Sequence, residues 1–314
     1  MANNMKSFTP IPVSRRNFVQ GLGGLAAAAA AALALPHVAR ADTRVARTAG
    51  LKLKLSLNAY SFNGPLRDGT MTLHDVIRFC AEQGVDGLDA TGYYMPGYPK
   101  VPDDDYIYAL KRTAFVNGVS ISGTGTRNDF TTPDAAARKA DVQLVKNWIE
   151  VSSKLGAPVL RIFSGKEVPA GHTFDEVLAW MASDVKECAD YGRKHGVIVG
   201  LQPHNDFLQT ADQTIRLVNA VNSEWFGVIL DIGSLQQGDP YVEIEKLMPY
   251  AVSWQVKEMV TSGKTTMPVD LKRLKGLINR GGYRGFLPIE SLYAKNSSEG
   301  VAKFVAQVKQ EFSL

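Results

Sequence analysis

Eight short apolar runs recur along the chain, and longer stretches with helical spacing of apolar residues lie between them. The runs are KLSLNAY (54–60), GVDGLDA (84–90), GVSISGTG (118–125), APVLRIFS (157–164), GVIVGLQ (196–202), FGVILDI (226–232), AVSWQVKE (251–258) and GFLPIES (285–291). Their β-branched and aliphatic content predicts buried parallel strands. The intervening stretches, such as TLHDVIRFCAEQ, ADVQLVKNWIEVSSKL and FDEVLAWMASDVKECADYGRKH, predict amphipathic helices. Three of them close on glycine just ahead of the next run, in AEQGV, SKLGA and RKHGV. Glycine ends a helix there because it enters the left-handed conformation without a Cβ clash. Eight such strand–helix units predict an α/β fold, a (β/α)8 TIM barrel of one domain. A doubly wound open sheet is the alternative, but no glycine-rich phosphate loop follows the first run to support it.

The first 41 residues stand outside this pattern. SRRNFVQ (14–20) is followed by the apolar GLGGLAAAAAAALAL and then by HVARADT, with the small-residue cleavage site Ala39-Arg40-Ala41. A basic region, an apolar core and a small-residue site are the parts of an export signal. The apolar run is short and rich in alanine and glycine for a membrane span. The S-R-R-x-F stretch, with Arg15 and Arg16, resembles a twin-arginine signal. An ordinary secretory signal or a membrane anchor is the other reading. The expectation is a twin-arginine signal peptide over 1–41, cleavage before Asp42, and a mature barrel of 42–314 in the periplasm.

Removing that leader changes the charge. It carries four of the chain's 35 basic residues and none of its 31 acidic ones, so the remainder is balanced and the net +4 belongs to the leader. A balanced domain has no electrostatic footprint for nucleic acid or for an anionic membrane. The two cysteines, Cys80 and Cys188, fall on separate helical stretches and read as packed thiols.

In a barrel of this kind chemistry sits at the C-terminal ends of the strands. The fifth run ends on Gln202 and leads to His204, Asn205 and Asp206; the sixth reaches Asp231; the seventh carries Gln255, Lys257 and Glu258; the eighth reaches Glu290. Residues two apart share a strand face, so Gln202 and His204 can point inward together, as can Gln255 and Lys257, leaving Trp254 and Val256 for the helix layer. Asp231 and Glu290 each end an apolar run, where a carboxylate without a cation or partner is costly. Tyr93, Tyr94 and Tyr98, after the second run, suit a wall for stacking on a sugar or simple loop packing. His74, His172 and His195 fall in helix or loop contexts and read as surface groups.

The stretches LSLNAYSF, GLQPHNDF, GVILDIGS, WQVKE and LPIES resemble the xylose-isomerase-like barrel superfamily over roughly residues 52–312. That superfamily includes sugar isomerases, sugar epimerases, inosose dehydratase and the endonuclease four family. Its sugar-epimerase branch holds one divalent cation with Glu, Asp, His and Glu at the ends of strands five to eight. The resemblance places Gln202, Asp231, Gln255 and Glu290 at those positions. With two amides and two carboxylates, manganese, magnesium or calcium fits better than a tight zinc site. An amide cannot take a proton, so the resemblance leaves Glu290 as catalytic base, with His204 as second acid or base and Lys257 as electrostatic partner. Arg161, Asn58, Tyr93, Tyr94 and Asn205 are the implied substrate-binding residues; Glu258 and Lys166 are weaker candidates. If Lys257 filled the cation's place instead, the protein would be metal-free.

What the resemblance implies is an exported, metal-dependent carbohydrate isomerase or epimerase that abstracts a proton beside a carbonyl. A keto-sugar or keto-glycoside lyase or hydratase sharing that first step is one alternative, and a non-catalytic sugar-binding barrel is another. The expected partner is a small-molecule carbohydrate, with no nucleic acid, no membrane after cleavage of the leader, and homo-oligomerisation left open. A repair nuclease is disfavoured, because its histidine-rich three-metal cluster has no counterpart in a site region with one histidine.

Overall fold

A computed structural model describes residues 43–48, 52–204, 207–235, 237–263, 265–292 and 297–314. The leader expected over 1–41 lies outside the described residues, as do Asn205 and Asp206. Among the described residues no helix is long and apolar enough to cross a membrane.

Among the described residues there are ten strands, eight of which alternate with helices. They are β1 (Lys52–Asn58), β2 (Gly87–Asp89), β3 (Ser120–Gly125), β4 (Val159–Phe163), β5 (Ile198–Gln202), β6 (Phe226–Asp231), β7 (Ala251–Gln255), β8 (Met259–Ser262), β9 (Thr265–Pro268) and β10 (Arg284–Ile289). The main helices are α1 (Asn63–Asp68), α2 (Leu73–Glu82), α3 (Asp104–Val116), α4 (Ala135–Leu155), α5 (Phe174–His195), α6 (Ala211–Val221), α7 (Pro240–Leu247), α8 (Leu271–Arg280) and α9 (Ser298–Phe312). Eight strands form one parallel sheet in the order β10-β1-β2-β3-β4-β5-β6-β7. Just past β7, Val256 N–H donates to the Pro288 carbonyl at 2.9 Å and the Glu290 N–H donates to the Val256 carbonyl at 2.8 Å. Those two bonds link the ends of the sheet and nearly close it into the expected (β/α)8 barrel.

The helices begin and end where their sequences say they should. Thr72, Thr173 and Thr210 each open a helix with a reciprocal capping box, closed by Asp75, Glu176 and Gln213 three residues on. Gly156 and Gly196 end α4 and α5 in the left-handed region, at φ of 80° and 70°. Strand and helix faces meet in a continuous apolar core that includes Leu57, Leu88, Ile162, Leu201, Leu230 and Ile289. Trp254 belongs to it, edge-on to Tyr283. Cys80 and Cys188 are buried free thiols, and burial pushes both upward in pKa.

One glycine is fixed by proximity. A Cβ on Gly192 would stand 2.3 Å from the Val197 carbonyl oxygen, which belongs to the chain entering β5. Gly192→Ala should therefore force α5 off the sheet and cost about 1–3 kcal/mol. Thermal unfolding checks this, at about 2–4 °C for each kcal/mol in a domain of this size; an unchanged midpoint would show that α5 can slide without loss.

The seventh apolar run departs from its expectation. It is not one strand over 251–258, because β7 stops at Gln255. Met259–Ser262 then turns back on Thr265–Pro268 as an antiparallel hairpin, with Gly263 at φ 58° in the turn.

Candidate active site

The polar strand ends converge as strand geometry requires. Arg161 on β4, Gln202 closing β5, Asp231 closing β6, Gln255 closing β7, and Lys257 and Glu290 just beyond β7 and β10 are all nearly or fully buried. Alternation puts Gln255 and Lys257 on one side and the core residues Trp254 and Val256 on the other.

Asp231 is the hub. Its Oδ2 accepts from Lys257 Nζ at 2.7 Å, from Gln202 Nε2 at 2.7 Å and from Ser234 Oγ at 2.6 Å. Its Oδ1 accepts from the Gly233 N–H at 2.9 Å. Burial opposes its charge, but Lys257 and these donors outweigh burial and hold its carboxyl below the usual range. The Lys257 ammonium also reaches Glu290 Oε1 at 3.4 Å. Burial would lower the lysine, yet the two carboxylates win and raise it, so it stays charged. The balance is reversed at Glu290: burial raises its pKa, and Lys257 and Arg161 compensate only in part. A carboxyl held above its ordinary range is a better base once ionised. Gly233 makes room for the lysine, since a Cβ there would lie 2.9 Å from Lys257 Cδ.

A second cation sits beside this pair. Arg161 Nη1 donates to Gln202 Oε1 at 3.3 Å and Nη2 to the Thr126 carbonyl at 3.4 Å, while its Nε has no partner among the described residues. Its guanidinium lies 4.3 Å from the Phe163 ring centroid and 5.6 Å from that of Tyr93. Burial acts against its charge, but Tyr93, Asp89 and Glu290 more than offset it. Below the pair, Gln255 Nε2 donates to Asp89 Oδ2 at 3.2 Å and Asn58 Nδ2 donates to the same oxygen at 2.9 Å. Burial raises the Asp89 pKa against the pull of Arg161.

Above these groups opens a cleft of about 320 Å³. Arg161, Gln202, Lys257 and Glu290 form its floor; Tyr60, Tyr93 and Phe163 supply aromatic wall; His204 stands exposed at its mouth; Met259, Thr261 and Thr266 reach it from the β8–β9 hairpin. The His204 ring meets Phe163 edge-on at 5.1 Å. Desolvation lowers its pKa, with Lys257, Arg161 and Arg127 acting in the same direction and Asp231 against it. Positive charge, a carboxylate and aromatic rings around a sugar-sized space can bind a hydroxylated ligand and stabilise negative charge on its oxygen.

Most of the expected residues therefore share this site, and a few do not. Asn58 is fully buried, with Nδ2 on Asp89 and Oδ1 accepting the Tyr60 N–H at 2.8 Å, so it positions Asp89 and Tyr60 and does not line the cleft. Tyr94 turns its hydroxyl to Asn63 Oδ1 at 2.8 Å and packs its ring against Tyr93 at 4.7 Å. Glu258 accepts from Ser291 Oγ and from the Leu292 N–H, fastening the chain after β10. Lys166 lines a neighbouring hollow that shares Arg127, Phe163 and His204 with the cleft. His74, His172 and His195 pair with Thr113, Glu176 and Tyr191 away from the cleft. Sequence reasoning missed Asp89, although it ends a strand run just as Asp231 does. It also missed Tyr60, in the turn after β1, Arg127, in the loop after β3, and the threonines of the β8–β9 hairpin.

The four residues expected to hold a divalent cation do not fit one as they are arranged. An ammonium already bridges Asp231 and Glu290. The Gln202 amide turns its N–H toward Asp231 and its oxygen toward Arg161. Reversing that amide would set oxygen against carboxylate and N–H against guanidinium. Of these four side chains, Gln255 alone has a buried acceptor, its Oε1, without a partner among the described residues. Among the described residues no group of three or more His, Cys, Asp or Glu side chains could hold a metal ion.

Fold and site together define a single-domain (β/α)8 barrel with a carboxylate–ammonium centre at the C-terminal mouth of its strands. A sequence model of the xylose isomerase-like TIM barrel family matches residues 77–308. The chain belongs to that family. No curated protein matches it in sequence. Among solved structures it is similar to D-psicose 3-epimerase from Clostridium cellulolyticum H10, at a TM-score of 0.69 and 16% identity over 82% of this chain and 99% of that one. The IolI protein with a bound zinc atom gives 0.69 and 15%, over 83% of this chain and all (100%) of that one. The probable 3-DHS dehydratase AsbF from Bacillus anthracis gives 0.61 and 16%, over 81% and 98%.

Proposed function

We propose that this barrel is a carbohydrate-active enzyme of the isomerase or epimerase type, which removes a proton from the carbon beside a carbonyl of a sugar or keto-sugar. One observation carries the reading: Glu290, a buried carboxylate raised in pKa, faces a 320 Å³ cleft beside the two buried cations Lys257 and Arg161. Glu290 takes the carbon-bound proton. The electron pair of that bond moves into the carbonyl, and the resulting enolate oxygen is held by Lys257 and Arg161. Returning a proton to the same carbon from the other side epimerises it; passing that carbon's hydroxyl proton to the enolate oxygen and returning a proton to the former carbonyl carbon isomerises the sugar. His204 is the second proton carrier in this scheme.

The likeness to an epimerase and to a probable dehydratase supports both ends of the same first step. Loss of an oxygen substituent from the next carbon, protonated to leave as water or an alcohol, would make the enzyme a keto-sugar or keto-glycoside lyase, and addition of water in the reverse direction a hydratase. The SRRNF stretch supports export by the twin-arginine route to the periplasm, where free sugars and glycosides suit such a site better than sugar phosphates. A cation of manganese, magnesium or calcium on Gln202, Asp231, Gln255 and Glu290 is the competing arrangement of the site.

Incubation with keto-sugars and keto-glycosides in heavy water tests the reading, because enolisation exchanges the proton beside the carbonyl. A product of unchanged mass identifies an isomerase or epimerase. An unsaturated product absorbing in the ultraviolet identifies the lyase. No exchange with any of them, together with measurable sugar binding, would make the protein a binding barrel instead. For export, lysine at both Arg15 and Arg16 should leave the precursor uncleaved in the cytoplasm; normal processing and periplasmic recovery would exclude the twin-arginine route.

A further inference from the structure

We propose that the Lys257 ammonium takes the place of a catalytic cation in this barrel, so that the site works without a divalent metal. The inference deepens the proposed reaction and rests on it for the role of the lysine, but the occupancy of the centre can be measured without any substrate.

Three features support it. The ammonium is wedged between the two carboxylates that a cation would need, 2.7 Å from Asp231 Oδ2 and 3.4 Å from Glu290 Oε1. The side chain is built into that place: its stem passes over Gly233, where any Cβ would stand 2.9 Å from Cδ. The polar groups around it are oriented for an ammonium. The Gln202 N–H and the Ser234 hydroxyl both donate to Asp231, leaving that carboxylate saturated with donors, and the Gln202 oxygen faces Arg161. A divalent ion would have to displace the lysine, turn the glutamine against its neighbours, and sit beside a second buried cation.

The charges also suit a monocation. Lys257 and Arg161 face the carboxylates of Asp231, Glu290 and Asp89. Adding a dication to two fixed buried cations would leave excess positive charge in a water-poor site. The ammonium has three N–H donors, and two are directed to carboxylates. The third is available to a substrate oxygen, since Lys257 lines the cleft.

The test is metal stoichiometry. Mature protein purified without chelator should hold well under one equivalent of any divalent metal by elemental analysis. Manganese, magnesium, calcium or zinc added alone should not shift its thermal midpoint. Lys257→Met removes the ammonium, keeps the stem and leaves both carboxylates unneutralised, so manganese should bind that variant at least roughly 10²-fold more tightly than wild type. A monocation and a dication about 4 Å apart repel by more than this even at an effective dielectric near 20. Lys257→Gln serves if the methionine variant does not fold, and the wild-type measurement stands independently. Near-stoichiometric metal in wild type, lost in Asp231→Asn, would overturn the inference. So would failure of every folded Lys257 variant to gain metal, because the lysine would then not be what occupies the cation's place. Either result leaves the heavy-water exchange experiment to judge the reaction separately.

Discussion

Glu290→Gln should abolish exchange of the proton beside the carbonyl while leaving the barrel folded. The amide fills the same volume but cannot accept a proton, and loss of a positioned base costs roughly 10²–10⁴-fold in rate. Stability should hold or rise slightly, because the native surroundings disfavour the glutamate's charge: burial raises its pKa, and Lys257 and Arg161 only partly compensate. Lys257 keeps its stronger partner, Asp231, at 2.7 Å. The expected signature is therefore a large loss of exchange at an unchanged or higher thermal midpoint. Retained exchange in Glu290→Gln, with loss in His204→Gln, would transfer the role of base to His204.

Asp231→Ala should do the opposite and strike stability first. Its carboxylate collects the Lys257 ammonium, the Gln202 amide, the Ser234 hydroxyl and the Gly233 N–H. Removing it leaves the buried ammonium only its longer contact to Glu290, at 3.4 Å, and orphans three further donors; breaking one side of a buried pair costs about 3–5 kcal/mol. The pH dependence follows from the lowered pKa. Asp231 contributes stability in full above its unfolded value of about 3.9 and loses it as pH falls through the lower folded value. The gap between wild type and variant should accordingly be full at neutral pH and narrow in acid. Adding Lys257→Met to Asp231→Ala should recover part of the loss, since the ammonium that lost its closer carboxylate is then gone as well. Chemical denaturation of the two single variants and the double variant measures this; an additive double variant would mean that the two side chains do not form a pair.

The opposite expectations for two carboxylates facing one lysine show how the site was and was not legible in sequence. That Asp231 and Glu290 needed a positive partner followed from their place at the ends of apolar runs, where a lone charge is too costly. Lys257 stood among the expected residues because it lies two positions from Gln255 on the same strand face. Which positive group sits at the centre could not be read from that spacing, since a divalent ion and an ammonium satisfy the same two carboxylates. The side-chain directions of Gln202 and Lys257 separate the two, and sequence spacing does not contain them. Asp89 was legible by the same strand-end rule and was overlooked. Asn58, by contrast, was expected at the substrate and is committed to Asp89 and the Tyr60 backbone.

The sequence by itself determined the repeating strand–helix units, the helix ends marked by threonine boxes and left-handed glycines, and the collection of polar residues at one end of the barrel. Those are local or periodic properties, set by backbone conformation and by which face of an element must be buried. Tertiary structure decided the rest. It closed the sheet through Val256, Pro288 and Glu290, turned the chain after Gln255 into a hairpin over the mouth, and set the Lys257 ammonium between Asp231 and Glu290. These depend on distances between residues far apart in the chain, and such distances exist only once the barrel has closed.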